Sequence, residues 1–84
     1  MITEQLAPVH PGEILKKEFM KPKDMSTLDL TKALSGISYH EVRELLEGFK
    51  PLTIQMAYWL SKEFETTAQF WMNLQKQYDV ASNE

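Results

Sequence analysis

The sequence predicts an all-α domain of five helices. Apolar residues recur at three- and four-residue spacing along most of the chain, and no segment alternates with the two-residue period of a strand. Ser26, Ser38 and Thr53 each stand just ahead of such an apolar run, where a hydroxyl accepts from the unpaired N–H groups of a first turn. The chain has 84 residues, 43% of them hydrophobic and 11% aromatic, enough for one core and no second domain. Small domains bury only about 60% of their unfolded surface, so a partner subunit would add stability.

Residues 1–9 are expected to be a flexible arm, the domain to span 10–80, and residues 81–84 to fray. His10-Pro11-Gly12-Glu13 opens the first helix, since proline is tolerated in a first turn and an acid is favoured there. Ile14, Leu15, Phe19 and Met20 supply its apolar side, and Lys21-Pro22-Lys23-Asp24 should stop it, because the residue before a proline avoids helical geometry. Ser26 with Asp29 reads as a capping box for the second helix, whose apolar side is Leu30, Ala33 and Leu34. Ser35-Gly36-Ile37 is a tight turn, with Gly36 expected to take up any positive φ.

A second capping box, Ser38 with Glu41, starts the third helix, which buries Val42, Leu45 and Leu46 and ends at a Gly48 cap. Two short helices about a glycine turn, over residues 26–48, outline a helix-turn-helix. Thr53 caps a fourth helix carrying Ile54, Ala57, Leu60 and Phe64. Thr66-Thr67 breaks the chain before a fifth, from about Ala68 to Tyr78, with Phe70, Trp71, Leu74 and Tyr78 along one side. Met56, Tyr58 and Trp59 fall on more than one side of the fourth helix, so some apolar surface should stay exposed for a partner.

Composition excludes several function classes. Without cysteine there is neither a disulfide nor a thiolate metal site, and His10 and His40 lack ligand spacing, so no metal or cofactor is expected. No apolar run reaches the roughly 20 residues of a membrane span, and the N-terminus lacks a basic stretch followed by an apolar one. A cytoplasmic protein is expected. The spacing assembles no set of acid, base and nucleophile around either histidine, so the chain does not read as an enzyme. The net charge of −3 is unusual for a protein that approaches a polyanion.

At this point the residues carry a resemblance. His10-Pro11-Gly12-Glu13-Ile14-Leu15 resembles the opening of HigA/VapI-type antitoxins, and Phe70-Trp71-Met72-Asn73-Leu74-Gln75 followed by Tyr78-Asp79 resembles their closing helix. Between them, Leu30-Thr31-Lys32-Ala33-Leu34 and Gly48 fall where the Xre/Cro helix-turn-helix has its Leu-Ala-x-Ala-Leu and its glycine. The resemblance implies a lambda-repressor-like fold and a cytoplasmic, dimeric antitoxin. Its partners would be a HigB-like mRNA-cleaving ribonuclease toxin and, in many members, the operator of the shared operon. The closing helix would contribute to the dimer, which makes Phe70, Trp71, Leu74 and Tyr78 the expected interface.

The segment that should read DNA departs from the family. Ser35 resembles a one-residue insertion, Thr31 replaces an alanine, and Glu41 and Glu47 stand where basic or amide residues are common. At about 100° per residue, His40, Glu44 and Glu47 point away from the buried side of the third helix, with Arg43 and Glu41 on its flanks. Residues 26–50 hold three cations (Lys32, Arg43, Lys50) against four anions (Asp29, Glu41, Glu44, Glu47), a balance that opposes phosphate binding. The expected DNA contacts are Ser38, Tyr39, His40 and Arg43 at the helix start, with Thr27, Lys32 and Lys50 towards phosphates. Three readings follow: an antitoxin that also represses its operon, a toxin-binding module that has lost DNA contact, or a plain Xre-like repressor. An acidic antitoxin would be drawn to a basic ribonuclease, with Glu41, Glu44, Glu47, Glu63 and Glu65 as candidate contacts.

Overall fold

The computed structural model describes residues 8–83. Regular structure among them is helical throughout, in five helices. The first, α1, runs unbroken through three geometries: α-helical over Pro11–Ile14, π-helical over Leu15–Met20 and 3-10 over Lys21–Lys23. The others are α2 (Thr27–Leu34), α3 (Tyr39–Leu46), α4 (Ile54–Phe64) and α5 (Ala68–Ser82). Most of the expected arm over residues 1–9 lies outside the described residues, as does Glu84.

The predicted stop at Lys21 does not occur there. Lys21 keeps right-handed helical angles (φ −60°, ψ −45°) although Pro22 follows it. The wide π turn, in which the Lys21 N–H reaches the Lys16 carbonyl, opens the ladder just where the proline ring would crowd the preceding turn. The helix ends instead at Asp24, in the left-handed region at φ 55°, with the Met25 N–H on the Met20 carbonyl at 3.0 Å.

Both capping boxes form. The Ser26 hydroxyl accepts from the Asp29 N–H at 3.0 Å and the Asp29 carboxylate accepts from the Ser26 N–H at 3.0 Å, which holds the Asp29 carboxyl below its ordinary range. Gly48, at φ 80°, closes α3 as expected, with the Phe49 N–H on the Glu44 carbonyl at 2.9 Å. Gly36 has another role. The left-handed residue of the α2–α3 turn is Ser35 (φ 55°), whereas a side chain at Gly36 would overlap the Trp59 indole. That glycine is a seat for α4, a contact that turn chemistry does not foretell.

The core collects Leu15 and Met20 from α1, Leu30 and Leu34 from α2, Val42, Leu45 and Leu46 from α3, Met56, Ala57 and Leu60 from α4, and Trp71 from α5. Two expected core residues are exposed, Ala33 and Ile54. Ile54 occupies the first position of α4, beyond the layer that α2 and α5 cover. Helix α5 runs four residues past Tyr78, to Ser82. No helix of the described residues is long and apolar enough to cross a membrane.

Candidate nucleic-acid interface

Helices α2 and α3 pack on each other, with α1 behind α3 and α4 behind α2. Burial of Val42, Leu45 and Leu46 fixes the rotation of α3 and sends Tyr39, His40 and Glu47 to solvent, with Arg43 half-exposed. Glu44 is not presented as the helical wheel predicts. Its side chain is only 19% exposed, drawn in between His40 Nε2 at 3.1 Å and Lys50 Nζ at 3.5 Å. Glu47 pairs with Arg43 Nη1 at 3.1 Å. Glu41 turns back along the helix start, where its carboxylate accepts from the Ser38 N–H at 3.1 Å and the Ser38 hydroxyl at 3.2 Å. Every carboxylate of α3 therefore has a hydrogen-bonding or cationic partner in its own chain.

Surface ion pairs of this kind are worth about 0–1 kcal/mol each. A phosphate could take over Arg43 or Lys50 at small cost, and the acidic residues weigh less against a polyanion than their number suggests. Of the expected contacts, His40, Arg43 and Lys50 are drawn together around Glu44 and Glu47, and Tyr39 stands free at the helix start. The Ser38 hydroxyl is engaged in its cap, Thr27 is half-buried at the start of α2, and Lys32 is exposed in the last turn of α2.

The link from α3 to α4 is anchored at both ends. The His10 ring packs against the start of this link, its Cγ 3.7 Å from the position of a Cβ on Gly48. At the far end the buried Leu52 N–H donates to Gln75 Oε1 at 2.7 Å, while Gln75 Nε2 donates to Asp79 at 2.8 Å. Gln75 is a positioning residue the sequence reading passed over: the partner lies 23 residues away in the chain, with no local signal to mark it.

No family model matches the chain. It is 37% identical over 73 residues to YbaQ of Escherichia coli, an uncharacterized HTH-type transcriptional regulator, and spans 64% of that protein's length, just under two thirds. With virulence-associated protein I of Dichelobacter nodosus it shares 35% identity over 80 residues, covering 95% of this chain and 73% of that one. Its fold matches that of Pseudomonas aeruginosa antitoxin HigA with higBA promoter at a TM-score of 0.86, with 41% identity over 90% of this chain and 82% of the other. The chain belongs to the HigA antitoxin family.

Both HigA-type sequence motifs are scaffold. His10 caps α1, its Nδ1 accepting from the Gly12 N–H at 2.9 Å, and its ring stands edge-on to Tyr78 at 4.8 Å between centroids. The opening and closing motifs thus meet each other and hold the link that carries Lys50. The expected interface residues on α5 are largely used inside the chain. Trp71 is 0% exposed. Leu74 is half-buried, Tyr78 lies against His10, and Phe70 packs on Phe19 and Trp71.

Burial lowers the pKa of His10 below the usual 6.5, against opposing effects of the Lys50 backbone and of Asp79. The unfolded chain therefore takes up this proton at a higher pH than the folded one. The contribution of His10 is complete above its unfolded pKa and is lost as pH falls through about 6.5 towards the folded value. Urea unfolding between about pH 7.5 and 5.5 should show this loss. His10→Asn, which keeps a cap acceptor but does not titrate, should flatten the slope; an unchanged slope in that variant would refute the assignment.

Proposed function

We propose that the chain is the antitoxin of a type II toxin–antitoxin pair, a cytoplasmic binding protein without catalysis or cofactor. It binds and neutralises a HigB-like mRNA-cleaving ribonuclease and represses its operon by placing α3 in the operator major groove. The observation that carries the DNA half is the internal pairing of Glu41, Glu44 and the C-cap Glu47, which offsets their charge against a polyanion, while the exposed Tyr39 and the weakly held His40 and Arg43 meet base edges. Thr27, Lys32 and Lys50 take the phosphate side. The structure of the Pseudomonas aeruginosa antitoxin HigA with the higBA promoter supports this reading. The toxin half rests on family membership and on a net charge of −3, suited to a partner that must expose cations to hold RNA.

A gel shift on the palindrome upstream of the antitoxin gene tests the DNA half. Binding should weaken steeply with salt, and Arg43→Ala should lower affinity about tenfold, equivalent to about 1.4 kcal/mol. The net negative charge favours a second reading, a toxin-binding module that does not touch DNA. It predicts an unshifted fragment even at low salt, with the neighbouring gene product still co-purifying. A plain Xre-like repressor would shift the fragment and capture no toxin.

A further inference from the structure

We propose that Glu44 is a positioning residue for DNA reading, which holds His40 towards a base and Lys50 towards a phosphate as one unit; the inference rests on the operator reading above. Its carboxylate spans two elements. Oε2 lies 3.1 Å from His40 Nε2, one turn back on α3, and Oε1 lies 3.5 Å from Lys50 Nζ on the α3–α4 link. The His40 and Lys50 side chains are 67% and 62% exposed against 19% for Glu44, so the anion is sheltered behind two groups that reach solvent. The link is itself fixed, by the His10 ring at its start and by the Leu52 N–H on Gln75 Oε1 at its end. With the Lys50 backbone placed by the fold, the contact with Glu44 narrows the directions its side chain takes.

The same contact decides which kind of base His40 reads. A neutral imidazole donates at one nitrogen and accepts at the other, and the bond made by one fixes the state of its fellow. An ionised carboxylate only accepts, so Nε2 donates to Glu44 and Nδ1 becomes the acceptor. In the major groove an acceptor meets the exocyclic amino group of adenine or cytosine, whereas guanine and thymine present acceptors of their own. The Lys50 ammonium has three donors, enough to keep Glu44 and still serve a phosphate. Ordering both side chains before DNA arrives removes an entropy loss that binding would otherwise carry. A bare acid would act with the opposite sign, repelling every duplex alike.

Gel shifts at about pH 8, where an imidazole is ordinarily neutral, test this by setting the operator against an unrelated duplex of equal length. Glu44→Ala, a change that suits a helix, should keep its helical circular dichroism and bind the unrelated duplex at least as tightly as the parent. On the operator it should lose about tenfold. When the half-site is varied one base pair at a time, the parent should show a preference for adenine or cytosine that Glu44→Ala and His40→Ala both lack. Adding His40→Ala to Glu44→Ala should cost no further discrimination, because the two act as one. Glu44→Gln keeps an acceptor for Nε2 and should retain the preference. Tighter operator binding by Glu44→Ala, a lost preference for guanine or thymine, or loss of the preference in Glu44→Gln would each overturn the proposal and leave the operator reading standing. A parent that does not shift the operator even at low salt would overturn both.

Discussion

Gly12→Ala is expected to destabilise the domain by about 3 kcal/mol or more, at the upper end of what overpacking produces. A methyl group at this position would fall on the Leu45 carbonyl oxygen and within 3.0 Å of Leu46 Cα. Both are backbone atoms of α3, which no rotamer change can move aside. The alternatives are to separate α1 from α3 or to shift the helix proposed to read DNA. A domain of this length has roughly 4–13 kcal/mol of total stability, so the loss is a large fraction of it. Urea unfolding measures it directly. An alanine variant within about 0.5 kcal/mol of the parent, the range of neutral surface changes, would show that the helices do not approach as closely as the structure has them.

Trp71→Ala should cost a further class of energy, about 3–5 kcal/mol, by leaving a cavity at the centre of the core. The indole contacts Phe19 at 4.9 Å and Phe70 at 5.0 Å between ring centroids, and its N–H donates to the Thr66 hydroxyl at 2.7 Å. Because the side chain is completely buried within its own chain, the loss should appear in the monomer's own stability. If Trp71→Ala instead weakened only self-association, with monomer stability intact, the indole would lie in an interface and the packing described above would be wrong.

Much of the fold was legible because its signals are local. Ser26 with Asp29, Ser38 with Glu41, and Gly48 act within one turn of themselves, and each did what its chemistry predicts. The apolar spacing of Val42, Leu45 and Leu46 likewise fixed which side of α3 is buried. Misreadings arose where a residue answers to a distant neighbour. Gly36 yields to Trp59, Lys21 stays helical because the turn before it widens, and the side facing out on α4 depends on what covers α4. Glu44 was read as a bare charge by helical geometry alone, and Lys50, beyond the end of its helix, draws it in.

Composition and periodicity by themselves determined an all-helical domain, its capped boundaries, the α2–α3 pair and the family motifs at both ends, since helix formation depends on residues three and four apart. The tertiary structure alone decided that those end motifs clasp each other through His10 and Tyr78, that the α3 carboxylates are internally paired, and that Ile54 and Tyr58 rather than Trp71 face outward. These depend on groups brought close by packing, and a one-dimensional pattern carries no record of which faces meet.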